Sequence, residues 1–236
     1  MTQRSKRQQR RDQNQNNSRT ITIIVIALGA LLLAIALIYP NIKPATEVVV
    51  PEQVSRPQTE GLTVGDPNAP AKIEVFEDFQ CPACKKFTEN FEPRILSELV
   101  NTGKAYYVFH NYPFLDRNST TKESHDAANA SLCANEQGKF WEYHDTLFAN
   151  WNGENQGAFK AENLIKFATA IGLNESDFAA CVKENRYADE VQKTFDLGNS
   201  MGVSGTPTVF VNGQEVTPGY VPSFDDIAAA VEAAQK

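Results

Sequence analysis

Two cysteines with the spacing of a reactive dithiol occur in the segment Cys81-Pro-Ala-Cys84. An apolar stretch precedes them, and Pro82 suits the first turn of a helix, where its missing N–H is harmless. A sulfur at a helix start meets unpaired backbone N–H groups and the positive end of the helix dipole, which lower the pKa of its thiol. The segment therefore predicts thiol–disulfide exchange, with Cys81 as the exposed nucleophile and Cys84 as the inner, resolving thiol.

A second segment, Gly-Thr-Pro-Thr at 205–208, comes directly before an apolar run. A proline that enters a strand cannot donate a hydrogen bond to the neighbouring strand. We expect a cis Thr206–Pro207 bond, which would turn the chain and leave the backbone of Thr206 free to pair with a substrate peptide. Pro207 is thus predicted to belong to the catalytic site, and Thr206 and Pro82 are predicted to contact the substrate.

The cysteine pair allows two other interpretations. One is half of a zinc site, which requires a second pair of ligands or nearby histidines. His110, His125 and His144 form no close-spaced pair with a cysteine, so the sequence predicts no metal site. The other is a purely structural disulfide between the same two cysteines.

The remaining cysteines, Cys133 and Cys181, each lie in a segment with a helical pattern. If the first pair closes locally, these two are left for each other. We interpret them as a structural disulfide that joins two helices and stabilises the fold by about 3 to 4 kcal/mol in the chain-entropy model. Buried free thiols, or a second redox pair that relays electrons, are the alternatives.

Residues 21–39 form a run of 19 residues without charge, long enough as a helix to cross a bilayer. The preceding basic tail, residues 1–20, predicts a cytoplasmic N-terminus and an extracytoplasmic C-terminal domain attached to the cell membrane. A cleaved signal peptide also fits this pattern, although the run is longer than usual and no clear cleavage site follows. A buried core helix is the third interpretation.

Charge is distributed unevenly along the 236 residues, whose formal net charge is −7. Residues 1–20 carry six bases and one acid, a net charge of +5, and the remaining 216 residues carry 16 bases and 28 acids, a net charge of −12. An acidic domain repels nucleic acid, so we assign no nucleic-acid partner. Cysteines in an exported domain suit an oxidising compartment.

The element pattern is strand, helix, strand, a block of helices, hairpin and helix, which predicts an α/β fold with a helical insertion. The strands are expected at 71–79 and 105–110, with a helix from Pro82 to about Val100 that kinks at Pro93. Asn-Gly at 212–213 predicts a hairpin, and Ser223 is expected to cap the last helix. Residues 40–60 contain four prolines and are predicted to be an extended linker.

Four blocks of the chain resemble one known family. They are Phe-Glu-Asp-Phe-Gln-Cys-Pro-Ala-Cys at 76–84, His-Asn-Tyr-Pro-Phe at 110–114, Gly-Lys-Phe-Trp-Glu-Tyr-His-Asp at 138–145 and Gly-Val-Ser-Gly-Thr-Pro-Thr-Val-Phe-Val-Asn-Gly at 202–213. In this order they resemble the DsbA-like thiol:disulfide oxidoreductases, most of all the membrane-tethered bacterial branch. The resemblance implies a thioredoxin fold over residues 61–236, with its helical insertion at about 117–186.

Membership of that family would make Cys81 the attacking thiol, Cys84 its partner and Pro207 the cis-proline that faces them. It implies oxidation of cysteines in exported proteins, with the Cys81–Cys84 disulfide as the redox-active group and no other cofactor. It also implies recharging by a quinone-linked membrane partner, either DsbB-like or a vitamin K epoxide reductase homologue. We expect a monomer, because the sequence contains no obvious dimerisation domain.

Two positions depart from the family pattern. Many thioredoxin-fold enzymes have a buried acid six residues before the first cysteine, where this chain has Val75. The middle dipeptide is Pro-Ala, whereas strongly oxidising DsbA has Pro-His, and this difference predicts a milder oxidant. Two alternatives to an oxidase stay open: a reductase or isomerase on the same fold, and a non-catalytic metal- or peptide-binding module.

Overall fold

The computed structural model describes residues 26, 28, 29 and 47–235. The chain divides into two compact units, Met1–Glu47 and Val48–Lys236. In the first unit the described residues 26, 28 and 29 are helical and exposed, while the basic tail and the rest of the predicted anchor lie outside the described residues. Within the described part of the chain, no helix is both long and apolar enough to cross a membrane. The anchor therefore stays a prediction.

Six strands form one mixed sheet in the second unit. They are β1 (Thr59–Glu60), β2 (Thr63–Val64), β3 (Ala71–Glu77), β4 (Ala105–Asn111), β5 (Thr208–Val211) and β6 (Gln214–Glu215). Their order across the sheet is β1-β2-β4-β3-β5-β6. β3 and β4 run parallel, with Glu77 opposite Asn111 at their carboxyl ends, and the other neighbouring pairs are antiparallel.

Helices cover the sheet and form a block between β4 and β5. They are α1 (Pro82–Asn90), α2 (Glu92–Arg94), α3 (Glu123–Glu136), α4 (Phe140–Ala149), α5 (Ala161–Ala170), α6 (Glu175–Glu184), α7 (Ala188–Ser200) and α8 (Phe224–Ala234). Ile95–Val100 continues α2 with wider π-helical turns, and Phe114–Asn118 forms a 3-10 helix after β4.

The predicted helix from Pro82 to about Val100 is interrupted earlier than expected. The break lies at Phe91, between α1 and α2, rather than at Pro93. A proline has no N–H for the carbonyl one turn earlier, and its ring crowds that carbonyl. The distortion therefore appears on the N-terminal side of the proline.

β3 is buried on both faces and forms the centre of the core. Val75 belongs to the main cluster, which also contains Phe79, Phe87 and residues of the helical block. Phe76 points the other way, into a second cluster with Tyr112 and others. All residues of β3 except Lys72 are buried, which includes the charged Glu74 and Glu77, as expected for a central strand covered on both faces.

Local sequence signals account for the connections near the C-terminus. Asn212 and Gly213 both have positive φ, 47° and 78°, as a two-residue hairpin turn between β5 and β6 requires. Ser223 and Asp226 form a capping box at the start of α8. Asn174 caps α6 by accepting a hydrogen bond from the Asp177 N–H. These elements lie where their sequence signals indicate.

The helical block contains the second cysteine pair. Cys133 on α3 and Cys181 on α6 form a disulfide across 48 residues. Both residues are 1% exposed and belong to the main core. The bond therefore joins two helices of the block inside the core.

The segment that the sequence predicts as a linker to residue 60 differs from that expectation. Val48 and Val54 pack against the core, and Asn150 at the end of α4 exchanges two hydrogen bonds with the backbone of Val49, at 3.0 and 2.7 Å. Arg56 is buried in an ion-pair cluster, and residues 59–60 form β1. Residues 48–60 therefore belong to the folded unit. Individual side-chain contacts hold this segment on the domain, and such contacts leave no periodic pattern in the sequence.

Candidate active site

Cys81 lies at the junction between β3 and α1. The chain turns after Glu77 through a hydrogen bond from the Cys81 N–H to the Asp78 carbonyl, at 2.9 Å, and α1 begins at Pro82. Cys81 is therefore the N-cap residue of α1, at the positive end of the helix dipole. It is 7% exposed, whereas Cys84 is fully buried, and both are free thiols.

The loop between α7 and β5 brings Thr206 against Cys81. The Cys81 Sγ donates a hydrogen bond to the Thr206 carbonyl oxygen at 3.2 Å. The Thr206–Pro207 peptide bond is cis, and Pro207 is buried. Pro82 is exposed beside Cys81, and Thr206 is partly exposed. The structure thus brings the predicted residues of both segments together around one sulfur.

The Cys81 thiol is more acidic than an ordinary cysteine. A hydrogen bond from Cys84 is the main cause that lowers its pKa from 9.0 to about 6, against the opposing effect of burial. Smaller contributions come from the Thr206 side chain and from the backbone N–H groups of Ala83 and Cys84. The Thr206 carbonyl acts in the other direction, since it can accept only from the protonated sulfur. A pKa of about 6 favours the thiolate over the thiol at neutral pH.

Cys84 has the opposite character. Burial raises the pKa of its thiol well above 9.0, and the hydrogen bond that it donates to Cys81 adds to the increase. A fully buried sulfur also offers no surface to a large substrate. The arrangement can therefore present one nucleophilic sulfur and keep a second, protonated sulfur behind it.

A family model described as Thioredoxin matches residues 58–233, most of the chain. The chain belongs to the thioredoxin family. Among its relatives, a probable disulfide bond formation protein D of Bacillus anthracis is 26% identical over 172 residues, which cover 72% of this chain and 76% of the relative. Na(+)/H(+) antiporter NhaA 3 of Salinispora tropica is 31% identical over 170 residues, but the match spans only 24% of its length.

Two solved structures have the same architecture. Oxidised BdbD from Bacillus subtilis matches with a TM-score of 0.66 and 23% identity, over 78% of this chain and 98% of that one. DsbA from Chlamydia trachomatis matches with a TM-score of 0.62 and 25% identity, over 78% and 97%. The domain therefore has a mixed α/β, thioredoxin-like fold that matches DsbA. With the relatives, these matches identify this thioredoxin-family chain as a DsbA-like protein-disulfide oxidoreductase.

The orientation of one buried acid of this thioredoxin-family site, Glu77, was not predicted from the sequence. Glu77 shares a face of β3 with Val75, since side chains two positions apart point the same way. Burial raises the pKa of its carboxyl well above 4.5, Glu92 and Cys81 add to the increase, and the hydrogen bond from Thr88 and the neighbouring Cys84 thiol oppose it. Its Oε1 is buried without a partner among the residues that the structure describes. The alternation of β3, extended by two residues beyond Val75, is the signal that could have found it.

Asp78 is a second buried acid next to the cysteines. Its side-chain oxygens accept hydrogen bonds from the backbone N–H groups of Gln80 and Leu115, at 2.8 and 2.9 Å. Burial outweighs these bonds and raises the pKa of Asp78 to about 7. The sequence does not orient the side chain of Asp78, because β3 ends at Glu77 and the alternation ends with it.

A buried ion-pair cluster lies between the N-terminal segment and the helices. Arg56 donates to Glu92 at 2.7 Å and to both oxygens of Asp145 at 2.7 and 2.9 Å. Its guanidinium also lies over the Trp141 ring, 4.6 Å from the centroid. His144 contacts the Asp145 carboxylate at 2.9 Å. A single cation therefore joins residues 48–57 to α2 and α4.

Each of the three histidines contacts an acid. His110 contacts Glu74 at 3.2 Å, and His125 contacts Asp116 at 2.7 Å. In the described part of the chain, no group of three or more potential ligands could hold a metal ion. The zinc interpretation therefore gains no support from the side chains that surround Cys81.

Proposed function

We propose that this protein is an extracytoplasmic, membrane-anchored oxidase that introduces disulfide bonds into exported proteins through the Cys81–Cys84 couple. The observation that carries the proposal is the contrast between an acidic Cys81 and a buried, weakly acidic Cys84. A stabilised thiolate favours the reduced enzyme, so its disulfide readily accepts electrons from a substrate dithiol. The pKa of about 6 lies between about 3.5 for DsbA and about 7 for thioredoxin, which supports a milder oxidant than DsbA.

The first step is attack by a substrate thiolate on the Cys81 sulfur of the oxidised enzyme. One S–S bond forms between the substrate and Cys81, and the Cys81–Cys84 bond breaks. Cys84 leaves with the electron pair and takes up a proton. Attack at Cys81 rather than Cys84 is supported by exposure, since Cys84 is fully buried.

The second step resolves the mixed disulfide. The second thiolate of the substrate attacks its own bonded sulfur, a disulfide forms in the substrate, and Cys81 leaves as a thiolate. The helix start and the hydrogen bond from Cys84 stabilise that leaving group. The substrate has lost two electrons and the enzyme has gained them.

Glu77 is the group that we assign to deliver the proton to Cys84. Burial raises the pKa of its carboxyl and so favours the protonated form, which can release a proton into the buried site. Glu77 lies on the same face of β3 as Val75, the position at which many thioredoxin-fold enzymes have a buried acid, and it comes two residues after Val75 in the chain.

The segment 205–208 and Pro82 are proposed to bind the substrate around the reacting sulfur. Thr206 already places a polar backbone group 3.2 Å from the Cys81 Sγ, and Pro82 forms the exposed rim on the other side. An extended substrate segment would pair with the Thr206 backbone, so recognition would depend little on the substrate sequence.

Reoxidation is assigned to a quinone-linked membrane partner, either DsbB-like or a vitamin K epoxide reductase homologue. It must remove two electrons from the Cys81–Cys84 dithiol in each cycle. The apolar run at 21–39 and the basic tail support an anchor that holds the domain near such a partner. The disulfide Cys133–Cys181 is assigned a structural role, because it is buried in the core and joins α3 to α6.

A glutathione redox titration of the full chain tests the direction of electron flow, with the state of each cysteine measured by mass spectrometry. We expect a Cys81–Cys84 potential between about −120 and −180 mV, as for oxidases and isomerases. A value near about −270 mV would instead indicate a reductase. A Cys84→Ser variant tests for protein substrates. Mixed disulfides trapped with other proteins would indicate an oxidase that acts on proteins, and adducts with glutathione alone would indicate one that exchanges only with glutathione.

A non-catalytic binding module is the alternative from another class. The Cys81→Ser/Cys84→Ser double variant distinguishes the two, because a module that does not use its thiols would keep its function. For the proposed oxidase we expect complete loss of disulfide formation in a reduced substrate protein.

A further inference from the structure

Gln80, the residue directly before Cys81, has a fully buried side chain that is hydrogen-bonded at both ends. Its Nε2 donates to the Ser124 Oγ at 2.9 Å, and its Oε1 accepts from the backbone N–H of Asn155 at 2.6 Å. Ser124 lies in the first turn of α3, and Asn155 lies in the connection between α4 and α5. One side chain thus joins the reactive loop to two separate parts of the helical block.

The backbone of Gln80 is fixed as well. Its carbonyl oxygen accepts from the Trp151 Nε1 at 2.8 Å, and its N–H donates to the Asp78 Oδ1 at 2.8 Å. The other oxygen of Asp78 accepts from the Leu115 N–H at 2.9 Å. The loop from Asp78 to Cys81 is therefore attached to its surroundings by side-chain and backbone groups of two polar residues, Asp78 and Gln80.

This attachment matters because the reactivity of Cys81 depends on its position. The sulfur must stay within reach of the N–H groups of Ala83 and Cys84 at the start of α1 and of the Thr206 side chain in the loop before β5. Hydrogen bonds weaken steeply with distance and angle. A small displacement of the residue before Cys81 would therefore weaken the stabilisation of its thiolate.

We propose that Gln80 is a positioning residue that fixes Cys81 at the start of α1 and thereby makes the helical block part of the redox machinery. The inference rests on the proposed function of Cys81 and extends it. A glutamine that only filled space could be replaced by leucine with no effect on the chemistry of the neighbouring sulfur. A positioning glutamine could not.

The test is a Gln80→Leu substitution in the full chain, with Asn129→Leu as the matched control. Asn129 is a buried amide in the same helical block that accepts from the Tyr187 N–H at 2.9 Å and bonds to no residue of the loop 78–81. Both variants lose a buried amide and both should unfold at lower denaturant concentration. Only the first should change the chemistry of the dithiol.

Two measurements report on that chemistry. The first is the pH dependence of Cys81 alkylation in the reduced protein, and the second is the equilibrium of the Cys81–Cys84 pair with glutathione. For Gln80→Leu we expect the pKa of Cys81 to rise by about half a unit to one unit, a three- to tenfold weaker ionisation. The dithiol should then be easier to oxidise by a similar factor, because the reduced form has lost thiolate stabilisation. Asn129→Leu should leave both quantities within error of the parent protein.

If both variants lose stability but neither changes the pKa or the glutathione equilibrium, Gln80 is only a packing residue and the proposal is wrong. Should Gln80→Leu fail to fold, Ser124→Ala and Trp151→Phe remove single contacts to the same residue. These should shift both readouts in the same direction by a smaller factor, and no shift would again overturn the proposal. If the Cys81–Cys84 pair of the parent protein is neither oxidised nor reduced by glutathione, the proposed function itself is wrong.

Discussion

The chemistry of this protein is decided by a few side chains around one sulfur. The Cys-Pro-Ala-Cys segment identified Cys81 and Cys84, and the Gly-Thr-Pro-Thr segment identified Thr206 and Pro207. What distinguishes the two thiols is their surroundings: one caps a helix and accepts hydrogen bonds, and the other is fully buried. The spacing in the sequence identifies the pair, whereas the surroundings of each sulfur in the fold set the difference between the two pKa values.

At the same scale, Glu77→Gln tests the proton donor. Because the amide cannot release a proton to Cys84, we expect single-turnover oxidation of a dithiol peptide to slow by about a hundredfold at neutral pH, within the usual range for general acid catalysis. The measurement is the rate of enzyme reduction as a function of pH.

Glu74→Gln is the control for that substitution. Glu74 lies on the other face of β3, bound to Lys72 and His110, and the pKa of its carboxyl is lowered to about 2, mainly by the hydrogen bond with His110. It is therefore charged at neutral pH and carries no proton to give. An equal loss of rate in both variants would contradict the assignment of Glu77.

At the scale of elements, α7 is held close to the sheet by a glycine. Gly198 lies against Tyr112 and Phe76, and a Cβ there would come within 2.6 Å of the Tyr112 ring. Tyr112 in turn donates to the Val203 carbonyl at 2.9 Å, in the loop that leads to Thr206. The close approach of α7 therefore also supports the substrate side of the site.

Gly198→Ala should therefore destabilise the protein, although alanine is the better helix former. Helix propensity favours alanine by about 1 kcal/mol, but overpacking of a core costs about 1 to 3 kcal/mol. We expect a net loss of stability in urea unfolding. Lys193→Ala, at an exposed position of the same helix, should change stability by less than about 0.5 kcal/mol. A stabilised Gly198→Ala variant would show that the ring moves aside freely.

At the scale of the whole molecule, long-range contacts join segments that look independent in sequence. Residues 48–60 pack on the domain through Arg56, and the Cys133–Cys181 disulfide closes a loop within the helical block. The block also reaches the reactive loop through Gln80. The folded unit is therefore larger, and more closely tied to its active site, than the pattern of helices and strands indicates.

Removing the Cys133–Cys181 bond separates a structural role from a redox role. For the Cys133→Ala/Cys181→Ala double variant, the closed loop of 48 residues predicts a loss of about 3 to 4 kcal/mol in the free energy of unfolding. The glutathione equilibrium of Cys81–Cys84 should not change. Impaired turnover without a loss of stability would instead support an electron relay through the second pair.

Arg56→Met tests the attachment of the N-terminal segment. The substitution leaves Glu92 and Asp145 buried without a cation, which typically costs about 3 to 5 kcal/mol. Arg186→Met, which removes an exposed pair with Glu136, should cost no more than about 1 kcal/mol.

The pH dependence of stability gives a second check on Arg56. The hydrogen bond with His144 and the one with Arg56 lower the pKa of Asp145 below 3.8 despite its burial. Its stabilising contribution is therefore present above pH 3.8 and is lost as the pH falls through the lowered folded-state value. The cost of Arg56→Met should accordingly be large at pH 7 and shrink below about pH 4. A cost that does not depend on pH would indicate lost packing on Trp141 rather than lost charge pairing.

The sequence by itself determined everything that depends on neighbours along the chain. The cysteine spacing, the Asn212–Gly213 turn, the cap at Ser223 and the alternation in β3 are local signals, and the structure places these elements where they indicate. They are readable because turns, caps and strand alternation are set by residues only a few positions apart.

Only the tertiary structure decided which distant groups surround the reactive sulfur. Thr206 meets Cys81 across 125 residues, Gln80 meets Asn155 across 75, and Arg56 meets Asp145 across 89. No periodic pattern marks such contacts, since each depends on the packing of whole elements. A thiol's pKa is set by burial and by the atoms within hydrogen-bond reach, so the motif supplies Cys84 and the N–H groups of the helix start, whereas the fold supplies the burial and Thr206.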